Sequence, residues 1–110
     1  MTQAPQHETI ATSSVEEGLD FACSLLSSAV PHEGKANPEK AQQLLNELAQ
    51  YIQLRYVGEL LLALEYLAGL GNLCDPSLFQ SKQFWAQLRW VADKMNLSVT
   101  EKDNLEIPNG

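Results

Sequence analysis

This sequence has little positive charge. Its 110 residues include seven Lys and Arg against fourteen Asp and Glu, so the formal net charge is −7. A protein that binds nucleic acid needs clustered cations to displace the counterions of the phosphates, so we expect no nucleic-acid partner. The acidic balance fits a protein that is simply soluble, or one that binds a basic partner.

Cysteine is also scarce. Cys23 and Cys74 are the only two, and they lie on apolar segments far apart in the sequence. A small secreted disulfide scaffold carries more cysteines than this. We therefore expect two small buried thiols in a reducing compartment, which makes a cytoplasmic location the prediction.

Long apolar runs are missing too. The most apolar stretch is LLLALEYLAGL, residues 60–70. A membrane-spanning helix needs about 20 apolar residues, and Glu59, Glu65 and the glycines at 69 and 71 interrupt this stretch well before that. The opening MTQAPQHETIATSS has neither the basic nor the apolar region of a secretory signal. We expect no membrane partner.

Groups that could perform catalysis or bind a metal are few. His7 falls in a polar N-terminal stretch and His32 in a proline-containing loop, and neither setting fixes an imidazole as catalysis or metal binding requires. The sequence shows no HExxH, CxxC, glycine-rich phosphate loop or Ser-His-Asp arrangement. A metal held by Cys23, Cys74 and a histidine lacks the usual zinc spacing. We expect no enzyme, no cofactor and no metal site.

Helical periodicity, in contrast, runs through most of the chain. Ser14 can cap a first helix with Glu17 reaching back to it, and Pro31 is predicted to end that helix before a loop, PHEGKA. Asn37, followed by proline, starts a second helix, whose outer face is rich in amides and is either solvated or an adaptable hydrogen-bonding surface. The predicted core faces are Val15, Leu19, Ala22, Leu26 and Ala29 in the first helix, and Ala41, Leu44, Leu45, Leu48 and Ile52 in the second.

The third predicted helix covers residues 57–69, after a turn or a helix junction at 54–56, and it is apolar on two faces. Gly69 and Gly71 are predicted to supply its left-handed stop. Its core face comprises Val57, Leu60, Leu61, Leu64, Leu67 and Ala68, and its second face comprises Leu62, Ala63, Tyr66 and Leu70.

The fourth predicted helix covers residues 82–95, with Ser81 as its cap and Asp75-Pro76 starting a short turn before it. Asn96 suits the left-handed position after the helix, with Leu97 packing back as in a Schellman cap. The apolar stripe of this helix comprises Phe84, Leu88, Val91 and Met95, flanked by Trp85 and Ala92.

Together these patterns predict an all-α fold, a small four-helix bundle with polar termini. We expect a single helical domain at residues 13–97, between flexible tails at 1–12 and 98–110.

The second face of the third helix is the predicted partner-binding surface. Leu62 and Tyr66 lie on it, while Glu59 and Glu65 border it, so an acidic rim around an apolar centre would dock a basic protein. The same glutamates are otherwise ordinary solvated charges. A homodimer through Leu62, Tyr66 and Leu70 is the alternative use of this face.

Trp90 is the other candidate binding residue, because it points away from the stripe of the fourth helix. One interpretation packs it beneath a terminal tail or another helix. The other makes it an exposed anchor for a partner, since tryptophan is over-represented among the residues that dominate binding energy at interfaces.

Two segments, GELLLALEYLAGLGN and FWAQLRWVADKMNL, resemble the MafI-like small helical immunity proteins of bacterial polymorphic toxin systems. The resemblance covers about residues 38–97, and Asn96 replaces the more usual glycine near the end. It implies a cytoplasmic bacterial protein that binds and blocks a cognate toxin, often a nuclease. The matching positions are Gly58, Glu59, Leu60, Ala63, Leu64, Glu65, Leu67, Phe84, Trp85, Met95, Asn96 and Leu97, most of which are core positions.

The leading functional hypothesis is therefore a non-enzymatic, immunity-type inhibitor that neutralises a toxin, a basic protein domain, through an acidic helical face. The alternative is a helical interaction or regulatory module, or a homodimeric adaptor, without a toxin partner.

Overall fold

The computed structural model describes the backbone of residues 11–105 and 107 and the side chains of residues 15–105 and 107. Within these residues the secondary structure is helical and no strand occurs, which confirms the all-α class. In chain order the helices are α1 (Ala11–Ser27), α2 (Val30–Ala36), α3 (Pro38–Tyr56), α4 (Leu60–Leu73), α5 (Ser81–Lys94) and α6 (Val99–Asn104), with a 3₁₀ turn at Pro76–Leu78.

The four longer helices surround a common hydrophobic core. α1 packs mainly against α5 and α3 mainly against α4, while α4 also contacts both α1 and α5. α4 is therefore the central helix, which accounts for its high apolar content. None of the helices in the described part of the chain is long and apolar enough to cross a membrane. The largest buried side chains are Leu19, Leu26, Leu44, Tyr51, Leu64, Leu67, Leu70, Phe84, Leu88 and Val91.

Several local predictions are confirmed. Asn37 caps α3, and its Oδ1 accepts hydrogen bonds from the backbone N–H groups of Glu39 and Lys40 at 3.1 and 3.2 Å. Asn96 has a φ of 59° after α5, and the N–H of Leu97 donates to the carbonyl oxygen of Ala92 at 3.1 Å. This is the six-to-one hydrogen bond of a Schellman cap. The apolar stripe of α1 and the central part of that of α5 are buried as predicted.

The predicted loop PHEGKA is instead the helix α2, and this is a correction. Pro31 lies in the first turn of α2, where its missing N–H and fixed φ cost nothing. The backbone continues helically, because the N–H of Glu33 donates to the carbonyl of Ala29 and that of Asn37 to the carbonyl of Glu33. Pro31 thus begins a helix rather than ending one.

The predicted glycine stop of the third helix is also wrong. Gly69 and Gly71 lie inside α4, which continues to Leu73. A Cβ atom added at Gly71 would contact the ring of Phe84 and lie 2.8 Å from the ring of Trp85. Gly71 therefore permits close packing of α4 on α5. The left-handed glycine is Gly58, with a φ of +85°, in the connection between α3 and α4.

Other helix boundaries differ more modestly from the predictions. α1 already includes Ala11, before the predicted cap at Ser14, and α3 continues through the predicted turn at 54–56. Ser81 is the first residue of α5 rather than its cap; the cap position is Gln80, without a side-chain capping bond. Asp75 does cap the 3₁₀ turn, accepting from the N–H of Ser77 at 3.0 Å.

The segment from residue 98, predicted to be a flexible tail, contains the helix α6 in the part that the structure describes. Ser98 and Glu101 form a reciprocal capping box at the start of α6, with the Ser98 N–H donating to Glu101 at 2.8 Å. Ile107 is buried against the hydrophobic core. The tail predicted at 1–12 lies mostly outside the described residues, as do residues 106 and 108–110.

The buried faces of α3 and α4 are rotated from their predicted positions. On α3, Tyr51 is buried while Leu45 and Ile52 are exposed; on α4, Ala63 and Leu70 of the predicted second face are buried. Burial of Tyr51 is possible because its hydroxyl group finds a charged acceptor in Asp20. The predicted core residues Val57 and Leu61 are instead exposed, at 61% and 41%.

Candidate functional site

A cleft lies between α3 and α4, and we call it the α3–α4 cleft. Its volume is about 390 Å³. Leu70, Leu73 and the half-buried ring of Tyr66 provide its apolar surface, and Gln43, Glu47 and Glu65 add polar groups at its edge. The complete lining is Gln43, Glu47, Glu65, Tyr66, Gly69, Leu70 and Leu73.

A second cleft, the α4–α6 cleft, lies on the other side of the exposed surface of α4 and has a volume of about 530 Å³. The wall opposite α4 is formed by α6 and the residues that flank it. The Ser98–Glu101 capping box fixes the start of α6, and Leu97 and Leu105 pack against the core. Its lining is Leu61, Glu65, Gly69, Asn72, Leu97, Glu101, Asn104 and Leu105.

Glu65 and Gly69 line both clefts, so they form a shared ridge on α4. The ridge is low at Gly69, because glycine has no side chain and the space where a Cβ atom would lie is open to 4 Å. The lining residues include the carboxylates of Glu47, Glu65 and Glu101 and no Lys, Arg or His. The two clefts therefore form one continuous surface of negative charge with apolar walls.

The structure brings some of the predicted binding residues together. Glu65 and Tyr66 both line the α3–α4 cleft. Leu62 is 42% exposed, and it continues the ridge because it precedes Gly69 by seven residues, two helical turns. Glu59 is exposed at the N-terminal end of α4 and makes no capping hydrogen bond. Leu70 is buried, so the homodimer contact through Leu70 is not available.

Trp90 lies elsewhere and lines neither cleft. Its ring packs on α1, since a Cβ atom added at Gly18 would lie 2.8 Å from it. The ring is nevertheless 40% exposed, and the Nζ atom of Lys94 lies 5.4 Å from the ring centroid. Trp90 thus packs against another helix with part of its ring exposed, and its role as a partner anchor stays a prediction.

Sequence reasoning missed three of the residues that build the clefts. Gln43 and Glu47 stand on the amide-rich face of α3, where their four-residue spacing places them together. Glu101 falls in the segment expected to be a tail. The available signal was the capping pattern Ser-x-x-Glu at residues 98–101, which predicts a helix start.

Sequence reasoning also missed the buried carboxylate of Glu33, which is 3% exposed. It pairs with the Nζ atom of Lys40 at 3.2 Å and accepts a hydrogen bond of 2.6 Å from the backbone N–H of Asp75. Nearby, burial and the charge of Glu33 raise the pKa of the Cys74 thiol to about 11. The group is structural, because it joins α2, α3 and the segment after α4.

The thiols and carboxylates of the described residues do not converge on a metal site. Cys23 and Cys74 are both free, and burial raises the pKa of Cys23. Among residues whose side chains are described, no group of three or more His, Cys, Asp or Glu is placed to hold a metal ion.

Comparison with protein-family models, curated proteins and solved structures finds no match to this chain. The resemblance to MafI-like immunity proteins therefore stays a prediction.

Proposed function

We propose that this protein is a non-enzymatic, immunity-type inhibitor that binds a basic domain of a bacterial toxin through its two acidic clefts. One observation carries the proposal: Glu65 stands between two clefts whose lining contains three carboxylates and no cation. A surface of one sign, focused by concave walls, attracts and orients a partner of the opposite sign.

The α3–α4 cleft has the chemistry that a lysine or arginine side chain of the toxin requires. The aliphatic part of such a side chain packs on Tyr66 and Leu73, while its charged end reaches Glu47 or Glu65. Leu62 adds an exposed apolar contact along the ridge. Inhibition then follows from occlusion of the toxin's substrate surface, which needs no cofactor or metal in the inhibitor.

A cytoplasmic location belongs to the same proposal. Two free thiols, one of them buried, are typical of proteins kept in a reducing compartment. A protein that protects its own cell from a toxin acts in that compartment.

The test is affinity capture from the cells that produce this protein, with three versions of the chain as bait. Wild type is compared with Glu47→Gln/Glu65→Gln and with a control, Glu17→Gln/Glu39→Gln, which removes two exposed acids outside the clefts. We expect wild type and control to retain a basic protein that the cleft variant loses. That protein should arrest growth when it is expressed alone and not when it is expressed with wild type.

Two results would contradict the proposal. In one, the captured protein binds the cleft variant as tightly as it binds wild type. In the other, no captured protein inhibits growth in the absence of this chain.

A further inference from the structure

α3 carries an exposed apolar stripe that no other part of the described structure covers. The stripe comprises Leu45, Ala49, Ile52 and Tyr56, all exposed, and we call it the α3 stripe. Leu45 is 49% exposed, Ile52 60% and Tyr56 88%. A contiguous exposed apolar patch is often a contact surface on a small protein.

The spacing of the α3 stripe is that of a helix-pairing seam. Its members follow one another by four, three and four residues, the alternation with which one helix packs against another in a coiled coil. Ala49 leaves a gap between the larger side chains of Leu45 and Ile52. A side chain from an opposing helix fits into such a gap as a knob into a hole.

The α3 stripe faces away from the acidic clefts. At about 100° per residue, the middle of the stripe lies roughly opposite Gln43 and Glu47, which line the α3–α4 cleft. The two surfaces can therefore be occupied at the same time, and they differ in character.

Charge identifies the occupant of the stripe. Its outer neighbours Gln42, Asn46 and Gln53 are exposed and uncharged. On the inner side Arg55 is paired with Asp20 at 3.1 Å and with Glu16 at 3.5 Å. Because one guanidinium is shared by two carboxylates, the inner side keeps about one negative charge, and the outer side carries none among the described residues. These flanks offer little to attract a strongly basic partner and little to repel a second copy of this acidic chain.

The chain's own first ten residues are a poor alternative occupant. MTQAPQHETI contains only Met1 and Ile10 as large apolar residues, nine positions apart. A segment that covers a four-residue seam needs apolar residues at matching intervals. A second α3 stripe supplies them, and an identical patch on both partners closes into a two-fold pair.

We propose that two copies of this chain form a two-fold dimer by packing their α3 stripes against each other. This pairing does not depend on the proposed toxin binding, since it leaves the α3–α4 cleft open, with Gln43 and Glu47 on the opposite side of α3 from the stripe.

Sedimentation equilibrium of the full-length chain at about 100 µM tests the proposal, because a dimer with a micromolar dissociation constant is almost fully assembled there. The expected mass of wild type is twice the 12.2 kDa of one chain. Ile52→Glu should halve it, since a charge then lies in the apolar seam. The control is Leu62→Glu, which places the same charge at an apolar residue of α4 that is 42% exposed, against 60% for Ile52, and should leave the dimer intact.

Circular dichroism separates loss of pairing from loss of fold. Should Ile52→Glu fail to fold, Tyr56→Asp gives the same mass test at a residue that is 88% exposed and so contributes little to the core. A wild-type mass of 12.2 kDa at this concentration would overturn the proposal. A dimer that persists in the folded stripe variants would also overturn it, since the contact then lies elsewhere. If a chain without residues 1–10 dimerises and wild type does not, then those residues cover the stripe in wild type.

Discussion

The hydroxyl group of Tyr51 donates a hydrogen bond of 2.9 Å to Oδ1 of Asp20. Arg55 holds the same carboxylate through two further bonds, from Nε to Oδ1 at 3.2 Å and from a terminal nitrogen to Oδ2 at 3.1 Å. Burial, followed by the contact with Asp20, raises the pKa of the Tyr51 hydroxyl. The arrangement links α1 to α3 and allows a phenol to occupy the core.

Removal of this hydroxyl group should destabilise the protein. Tyr51→Phe keeps the ring but loses a hydrogen bond to a charged acceptor, and we expect the free energy of unfolding to fall by about 1–2 kcal/mol. Urea denaturation measures the change. Tyr56→Phe is the control, because Tyr56 is largely exposed, and it should change stability by less than about 0.5 kcal/mol. Equal effects of the two substitutions would contradict the assignment.

The buried carboxylate of Glu33 should matter more than a half-buried one. Glu33→Gln keeps an acceptor for the Asp75 N–H but removes the charge that pairs with Lys40. We expect a loss of about 1–3 kcal/mol in the free energy of unfolding. The control is Glu47→Gln, at an acid that lines the α3–α4 cleft, and it should change the free energy of unfolding little. If Glu33→Gln is as stable as wild type, the buried pair does not hold α2 in place.

The two glycines inside α4 should respond oppositely to a methyl group. Gly69→Ala adds a Cβ atom into open space and should stabilise the helix by about 0.5–1 kcal/mol, because alanine loses less backbone entropy. Gly71→Ala forces that atom against Phe84 and Trp85 and should cost about 1–3 kcal/mol through overpacking. Thermal unfolding of the two variants gives the signs directly, and a shift of both melting temperatures in the same direction would be inconsistent with this packing.

Cys74 should make the protein less stable at alkaline pH. Its pKa rises from 9.0 to about 11 on folding, so the unfolded chain loses the thiol proton first. Stability from this group is therefore fully present below pH 9 and is lost as the pH rises toward 11, by an amount of about 1–2 kcal/mol. Urea denaturation at pH 8, 9 and 10 should show a smaller decline for Cys74→Ala than for wild type. Equal declines in the free energy of unfolding of the two proteins would show that Cys74 is not the cause of the loss at alkaline pH.

Local chemistry made much of this fold predictable. Asn37 and Asn96 act through bonds to residues a few positions away, so a sequence window contains both partners of each cap. The stripe of α5 is equally local, since Phe84, Leu88 and Val91 share one face through helical spacing alone. These features do not depend on what the helices later pack against.

The errors arose where a partner distant in sequence decides the outcome. Ile52 and Tyr51 are neighbours, and Tyr51 is the buried one because Asp20, 31 residues earlier, accepts a hydrogen bond from its hydroxyl group. Gly71 resembled a stop signal, but its function depends on Phe84 across the α4–α5 contact. The same distinction applies to the candidate site. Glu65 and Tyr66 were predictable because they belong to one helix, whereas Glu47 and Glu101 are brought to the clefts only by tertiary packing.

The circumference of α3 is divided among three kinds of surroundings, and this division has a practical consequence. Leu44 and Tyr51 are buried in the core, Leu45 and Ile52 belong to the exposed α3 stripe, and Gln43 and Glu47 line the α3–α4 cleft. Residues 43 and 47 can therefore be substituted without opening a cavity in the core. A library randomised at positions 43, 47 and 65 should consequently yield mostly folded proteins. Recognition can then be diversified on a scaffold whose interior stays unchanged.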